Sequence, residues 1–187
     1  MTAITIIVGF LNTLNLTSGH DTLAGAESFW AWLSVALHDA TGPASSLQDM
    51  AWTIEFREAL RDLASANSGR RPTAAAAEVV TRTARMVGVS LSFGGDGSPR
   101  LASSASGLEG AVADILVGVH GMMSDGSWSR LKICRNPECR WAFYDNSRNH
   151  SRVWCAMKEC GNKMKARRFR QRSKEARSVG DPSSGQK

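Results

Sequence analysis

At 187 residues, 42% of them hydrophobic, the chain has room for one medium domain and a small appended one, with enough apolar mass for a real core. The longest apolar run, Ala111 to Met123, falls short of the roughly 18 residues a membrane span needs, so no spanning helix and no membrane partner are expected. The net charge of +6 is unevenly spread: residues 1–127 hold 7 Lys and Arg against 12 Asp and Glu, whereas residues 128–177 hold 15 against 4. A mildly acidic body thus carries a strongly basic end, and clustered basic residues attract phosphates or other anions.

The opening segment MTAITIIVGFLNTLNL is apolar, yet no positive charge precedes it and no small-residue cleavage pattern follows, so a cytoplasmic protein is expected. Apolar residues recur at three and four positions through Ile4–Leu16, Glu27–His38 and Leu47–Ala66, which predicts three helices. The third has Ser45 and Ser46 available as N-caps and Asp49 in its first turn, where carboxylate and helix dipole attract. Pro72 suits the first turn of a fourth helix running to Met86, because its missing N–H is not needed there, and Gly88 ends that helix.

Val89–Phe93 alternates, Gly-Gly-Asp-Gly follows and Arg100–Ala102 resumes, which predicts a β-hairpin. The glycines are read as its turn, since no P-loop Lys-Ser/Thr follows them. Leu108, Val112, Ile115, Leu116, Val119 and Met122/Met123 then line one stripe of a further helix, a core face. Met123–Ser127 is turn-rich and marks an abrupt change of composition, so the domain boundary is placed there.

Two features of the body have a bland and a sharp reading. His20-Asp21 and His38-Asp39 resemble catalytic pairs only as text; sequence neighbours generally point apart, and surface or capping roles are expected. Phe29, Trp30, Trp32 and Trp52 either fill a core or line a pocket for a small-molecule effector; core filling is the default. With no G-x-S-x-G, H-E-x-x-H or Walker motif, no enzyme is expected.

All four cysteines lie in one short stretch, Cys134-RNPE-Cys139 and Cys155-AMKE-Cys160, giving C-x4-C-x15-C-x4-C. Two matched pairs across a loop suit a tetrahedral zinc on four thiolates, and four protein ligands leave no open position for catalysis. One structural zinc per chain is expected; disulfides are the alternative. Asn136-Pro137 favours a tight turn between the first two thiolates, and Gly161 lets the backbone bend after the last. Phe143, Tyr144 and Trp154 either cover the metal or stack on bases, covering being expected in so small a module.

The segment WAFYDNSRNHSRVWCAMKECGNK, from Trp141 to Lys163, resembles the CGNR-type zinc finger. Proteins of that family usually pair this finger with an N-terminal helical ABATE domain. Gly9-Phe-Leu-Asn-Thr-Leu, Leu23, Trp32-Leu33 and Phe56-Arg-Glu-Ala-Leu-Arg are similar to that domain's opening. The resemblance implies zinc on Cys134, Cys139, Cys155 and Cys160 and a bacterial transcription regulator. Here the signature ends in Lys163 where the family has arginine, and Gly9 stands where an acidic residue is common. Lysine keeps the charge but loses the two-pronged donor.

Residues 161–177 favour a helix that is positive on most faces. Lys163, Lys165, Arg167, Arg168, Arg170 and Arg172 on it, with Arg148, Asn149, His150 and Arg152 in the loop before it, are the types that reach phosphates and base edges. The expected fold is mainly α (α+β): a helical N-terminal domain over 1–125 with one β-hairpin, a four-cysteine zinc finger with a basic helix over 126–177, and a disordered tail over 178–187. The expected function is transcription regulation through duplex DNA, with the body sensing an effector or partner and a homodimer allowed. The alternative is an RNA-associated or protein-docking zinc module.

Overall fold

The structure, a computed structural model, describes residues 2–37 and 47–179. Helix α1 (Ala3–Leu11) starts where the Thr2 hydroxyl accepts from the Thr5 backbone N–H. It stops five residues earlier than its apolar pattern predicts. At its end the Thr13 hydroxyl bonds the Phe10 carbonyl and the Asn12 side chain is drawn elsewhere, so the chain turns into a short antiparallel pair, β1 (Leu14–Asn15) and β2 (His20–Asp21). A 3-10 turn (Thr22–Ala24) capped by Asp21 leads into α2 (Ala26–Leu37).

Helix α3 (Leu47–Ser65) begins with Asp49 in its first turn, while the expected caps Ser45 and Ser46, like His38 and Asp39, lie outside the described residues. After a 3-10 turn at Ala66–Ser68 comes α4 (Ala74–Met86). Pro72, expected in the first turn, precedes the helix; the N-cap is Thr73, which is held by the Asp62 carboxylate through both its N–H and its hydroxyl, each 2.8 Å. Strands β3 (Ser90–Phe93) and β4 (Pro99–Ala102) form the expected hairpin, with Gly97 at φ +76° in its turn. The hairpin is exposed on its β3 side.

Helix α5 (Gly107–Ser124) buries Val112, Ile115, Leu116, Val119 and Met122, as its stripe predicts, and leaves Met123 exposed. Gly118 lets α1 lie close: a Cβ there would sit 3.1 Å from that of Ala3. Phe10, Phe29 and Phe56 from α1, α2 and α3 complete this core, with Trp30, Trp32 and Trp52 packed around it; the aromatic mass is core. Among the described residues no helix is long and apolar enough to cross a membrane.

Strands β5 (Leu131–Ile133) and β6 (Ala142–Tyr144) pair antiparallel, Lys132 opposite Phe143. Side chains alternate across a strand, so this hairpin has two faces. Leu131, Ile133 and Ala142 enter the core of the helical body, while Phe143 packs with the cysteines on the other side. The change of charge near residue 127 is therefore not a break in the core. A π-helical turn (Met157–Gly161) runs straight into α6 (Asn162–Val179). Of the tail expected over 178–187, the first two residues continue the helix to Val179, and residues 180–187 lie outside the described ones.

Candidate metal centre and nucleic-acid interface

The first cysteine pair sits on the loop of the β5–β6 hairpin, closed by the Cys134 N–H on the Trp141 carbonyl at 2.9 Å. Within it the Asn136 carbonyl accepts from both Cys139 and Arg140, each at 3.0 Å, and Arg140 takes a left-handed φ of +49° to complete the turn. Of the second pair, Cys155 stands just before the π-turn and Cys160 within it, at the foot of α6. Gly161 allows a close approach here rather than a positive φ, because a Cβ would lie 3.2 Å from Trp154 Cδ1.

The four sulfurs converge to within 4.8 Å of one another. Cys139 and Cys155 are 3.6 Å apart, and Cys155 and Cys160 are 3.7 Å apart. A tetrahedron with Zn–S bonds of about 2.3 Å has edges of about 3.8 Å. These distances are too long for disulfides, whose S–S bond is about 2 Å, and all four thiols are free. The donor set fits one structural zinc. When bound, zinc supplies a crosslink between the hairpin and the foot of α6.

The surroundings favour thiolates unequally. Burial, with the Cys134 charge, pushes the Cys139 thiol up to about 11 against a bond from Trp141, and burial pushes Cys155 up further. Burial also opposes ionisation of Cys160, but the Asn136 side chain donates to its sulfur at 3.6 Å and the neighbouring thiols add bonds, so its pKa falls. Phe143 is buried, and Trp141 and Trp154 pack on the same cluster. These aromatics cover the metal site.

The loop between the cysteine pairs is organised by one ion pair. Asp145 is fully buried and accepts from Lys132 Nζ at 2.8 Å, from the Ser147 N–H and hydroxyl, and from the Arg152 N–H. Burial raises its carboxyl, but these donors together hold it well below the usual range. The Lys132 ammonium also reaches the carbonyls of His150 and Arg152. Asp145→Asn keeps the shape but leaves that ammonium buried without its counter-charge. We expect a loss of about 3–5 kcal/mol, read by denaturant unfolding at neutral pH. The sign follows from the depressed folded pKa: the wild-type advantage is present above about pH 4 and fades as pH falls through the folded value.

The predicted nucleic-acid residues divide. Arg152 lies over the Phe143 ring at 4.9 Å and donates to the Cys155 carbonyl at 2.7 Å, and His150 sits against Arg130 with φ +47°. Both brace the loop. Arg148 and Asn149 are exposed beside them, and Lys163, Lys165, Arg167, Arg168, Arg170 and Arg172 are all exposed on α6. Arg167 alone of these six has an ion pair among the described residues, to Glu138 at 3.2 Å.

Residues 5–119 match the family model of the ABATE domain, described as "Putative stress-induced transcription regulator", and residues 130–173 match that of the CGNR zinc finger. The chain belongs to the ABATE family and carries a CGNR zinc finger. No curated protein matches it.

Sequence reasoning missed the contacts that join the ABATE domain to the CGNR finger. Asn12 pairs with the outer edge of β6 like a short strand, accepting from the Ala142 N–H at 2.8 Å and donating to its carbonyl at 2.9 Å. On the β5 side, Asn67 donates to the Trp128 and Leu131 carbonyls and the Ser68 hydroxyl accepts from the Ile133 N–H. Arg135 donates to the Ser68 carbonyl at 2.6 Å and lies over Gly69, where a Cβ would meet its guanidinium at 2.7 Å. Arg61, only 1% exposed, bonds the carbonyls of Leu11 and Arg140. Arg57, equally buried, grips Asp21 through two bonds of 2.6 and 2.9 Å and also donates to Thr13. Asp21 is therefore a cap and an ion-pair partner.

Proposed function

We propose that this chain is a non-enzymatic transcription regulator that binds duplex DNA through α6, with the ABATE domain as the sensing or interaction module. The observation that carries the reading is the shape of the positive charge. Lys163, Arg167, Arg170 and Lys174 share one side of α6 by their spacing, and Lys165, Arg168 and Arg172 share the other; residues 165–172 are exposed throughout. A helix that lies on a membrane needs one apolar face. Cations on both sides suit a groove with phosphates on both walls, and the B-DNA major groove, about 12 Å wide, admits one α-helix. An RNA-associated role has less support, because single-strand readers stack successive bases on several open aromatics, and with Phe143 and Trp154 spent on the metal site Phe169 is the only large aromatic exposed on the finger among the described residues. Coupling to an effector or partner would pass through Asn12, Arg61 and Ser68 to the hairpin that carries the metal.

The test is the salt dependence of binding to duplex DNA by the zinc-loaded protein. Each neutralised phosphate contributes about −0.9 to the slope of log K against log salt. Replacing Arg167, Arg168 and Arg170 together flattens the slope by roughly 0.9 for each that faces a phosphate. An unchanged slope removes α6 from the interface, and tight binding to neither DNA nor RNA leaves protein docking as the role.

A further inference from the structure

Phe169 stands in the middle of the basic helix with 66% of its surface exposed, whereas Phe10, Phe29 and Phe56 are at 0–1%. Its position is defined by spacing. Lys165 and Arg172 lie one turn before it and one turn after it, and Arg168 precedes it directly. The opposite face of α6, with Lys163, Arg167 and Arg170, looks into a groove of about 800 Å3 shared with Asn136 and Glu138 of the first cysteine pair, and Arg167 is tied to Glu138 there. On that side Glu138 already holds Arg167, whereas Lys165, Arg168 and Arg172 have no such acidic partner among the described residues. The outward face carries no acid nearer than Glu175, one turn beyond Arg172.

A ring of cations around an exposed aromatic restricts what can cover it. A second copy of the same face would bring Lys165, Arg168 and Arg172 against their own kind, so the occupant is a polyanion with an apolar spot at its centre. The floor of the DNA major groove offers one such spot, the thymine 5-methyl group, which alanine and phenylalanine contact in sequence readout. Resting on the duplex-DNA reading above, we propose that the outward face of α6 is the one that enters the major groove, and that Phe169 reads a thymine methyl there while Lys165, Arg168 and Arg172 hold the flanking backbone. Phe169 is then a specificity-determining residue.

The test uses full-length, zinc-loaded protein and a duplex selected by it from a random-sequence pool. Replacing thymines one at a time by deoxyuridine removes a single methyl group and nothing else. At one or two positions this should weaken wild-type binding about fourfold, the factor one buried methyl-sized group is worth. F169A should bind the parent duplex more weakly and lose the distinction between thymine and deoxyuridine, while F169L should keep much of it. The exposed site makes misfolding an unlikely confounder, which zinc content and melting of F169A check directly. A thymine effect that persists in F169A, or none in the wild type, overturns the assignment of Phe169 and leaves the DNA reading standing if the arginine-dependent salt slope is seen. Selection that enriches no sequence has the same consequence. Absence of duplex binding altogether overturns both.

Discussion

Stripping zinc from the full-length protein under reducing conditions should destabilise the helical body as well as the finger. Structural zinc contributes on the order of 10 kcal/mol to the fold of a small four-thiolate module, and among the described residues this module's own core is the cysteine cluster with Phe143, Trp141 and Trp154. Its hairpin is shared. Leu131 and Ile133 are 0% and 1% exposed because β5 packs on α3 and on the turn at Ala66–Ser68, and both side chains join the core of the body. Each such side chain is worth about 1.5–3 kcal/mol of burial, so a hairpin that frays without its metal withdraws several kcal/mol from a body of ordinary stability. At about 2–4 °C per kcal/mol for a chain of this size, the body transition should drop by roughly 10 °C, followed by circular dichroism at the helix band with and without chelator. Truncation after residue 125 should be worse, since it removes both side chains and Ala142 and opens the core permanently. A body that melts unchanged after chelation, or a soluble and cooperative 1–125 fragment, would show that the shared core is dispensable.

That expectation could not have been written from the sequence, and the reason is physical. Helical periodicity and turn chemistry are local, so α4, α5, the β3–β4 hairpin and the spacing of the four cysteines are legible in windows of a few residues. The bonds that join body and finger are not local: Asn12 meets Ala142 across 130 positions and Arg61 meets Arg140 across 79. Composition changes abruptly near Met123–Ser127, but charge reports what faces solvent. The alternation of Leu131, Lys132 and Ile133 reports what faces the core, and three residues are too few to stand out. The β1–β2 pair escaped for a related cause, since Leu14 and Leu16 continue the apolar pattern of α1 while Asn12 and Thr13 end the helix by side-chain bonding. The motif residues Asn12-Thr13 and Arg57/Arg61, separated in the text, meet around the same turn of chain.

Arg61→Ala should destabilise the fold strongly and should loosen the metal site from a distance. Its guanidinium is buried among the Leu11 and Arg140 carbonyls and the Glu58 carboxylate, 3.1 Å from Nε. Burial lowers the pKa of the guanidinium and Glu58 raises it again, so the charge is balanced only while that pair survives. Glu58 is 34% exposed and keeps Arg57, so the loss falls on the Leu11 and Arg140 carbonyls, each left without its donor at about 1–3 kcal/mol, or roughly 10 °C in melting temperature together. Arg140 follows the ligand Cys139 directly and holds the left-handed turn of the first cysteine pair. Without Arg61 that turn loses its tether, and zinc should pass to a chromogenic chelator several-fold faster than from wild type. Asn12→Ala severs the next contact along, at Ala142. If the two side chains clamp one rigid strand, the double variant should fall short of the summed losses by more than about 0.5 kcal/mol. Additive losses with unaltered metal release would mean that Arg61 supports α3 and α1 alone, and the route from the ABATE domain to the finger would have to be sought in Asn67 and Ser68 instead.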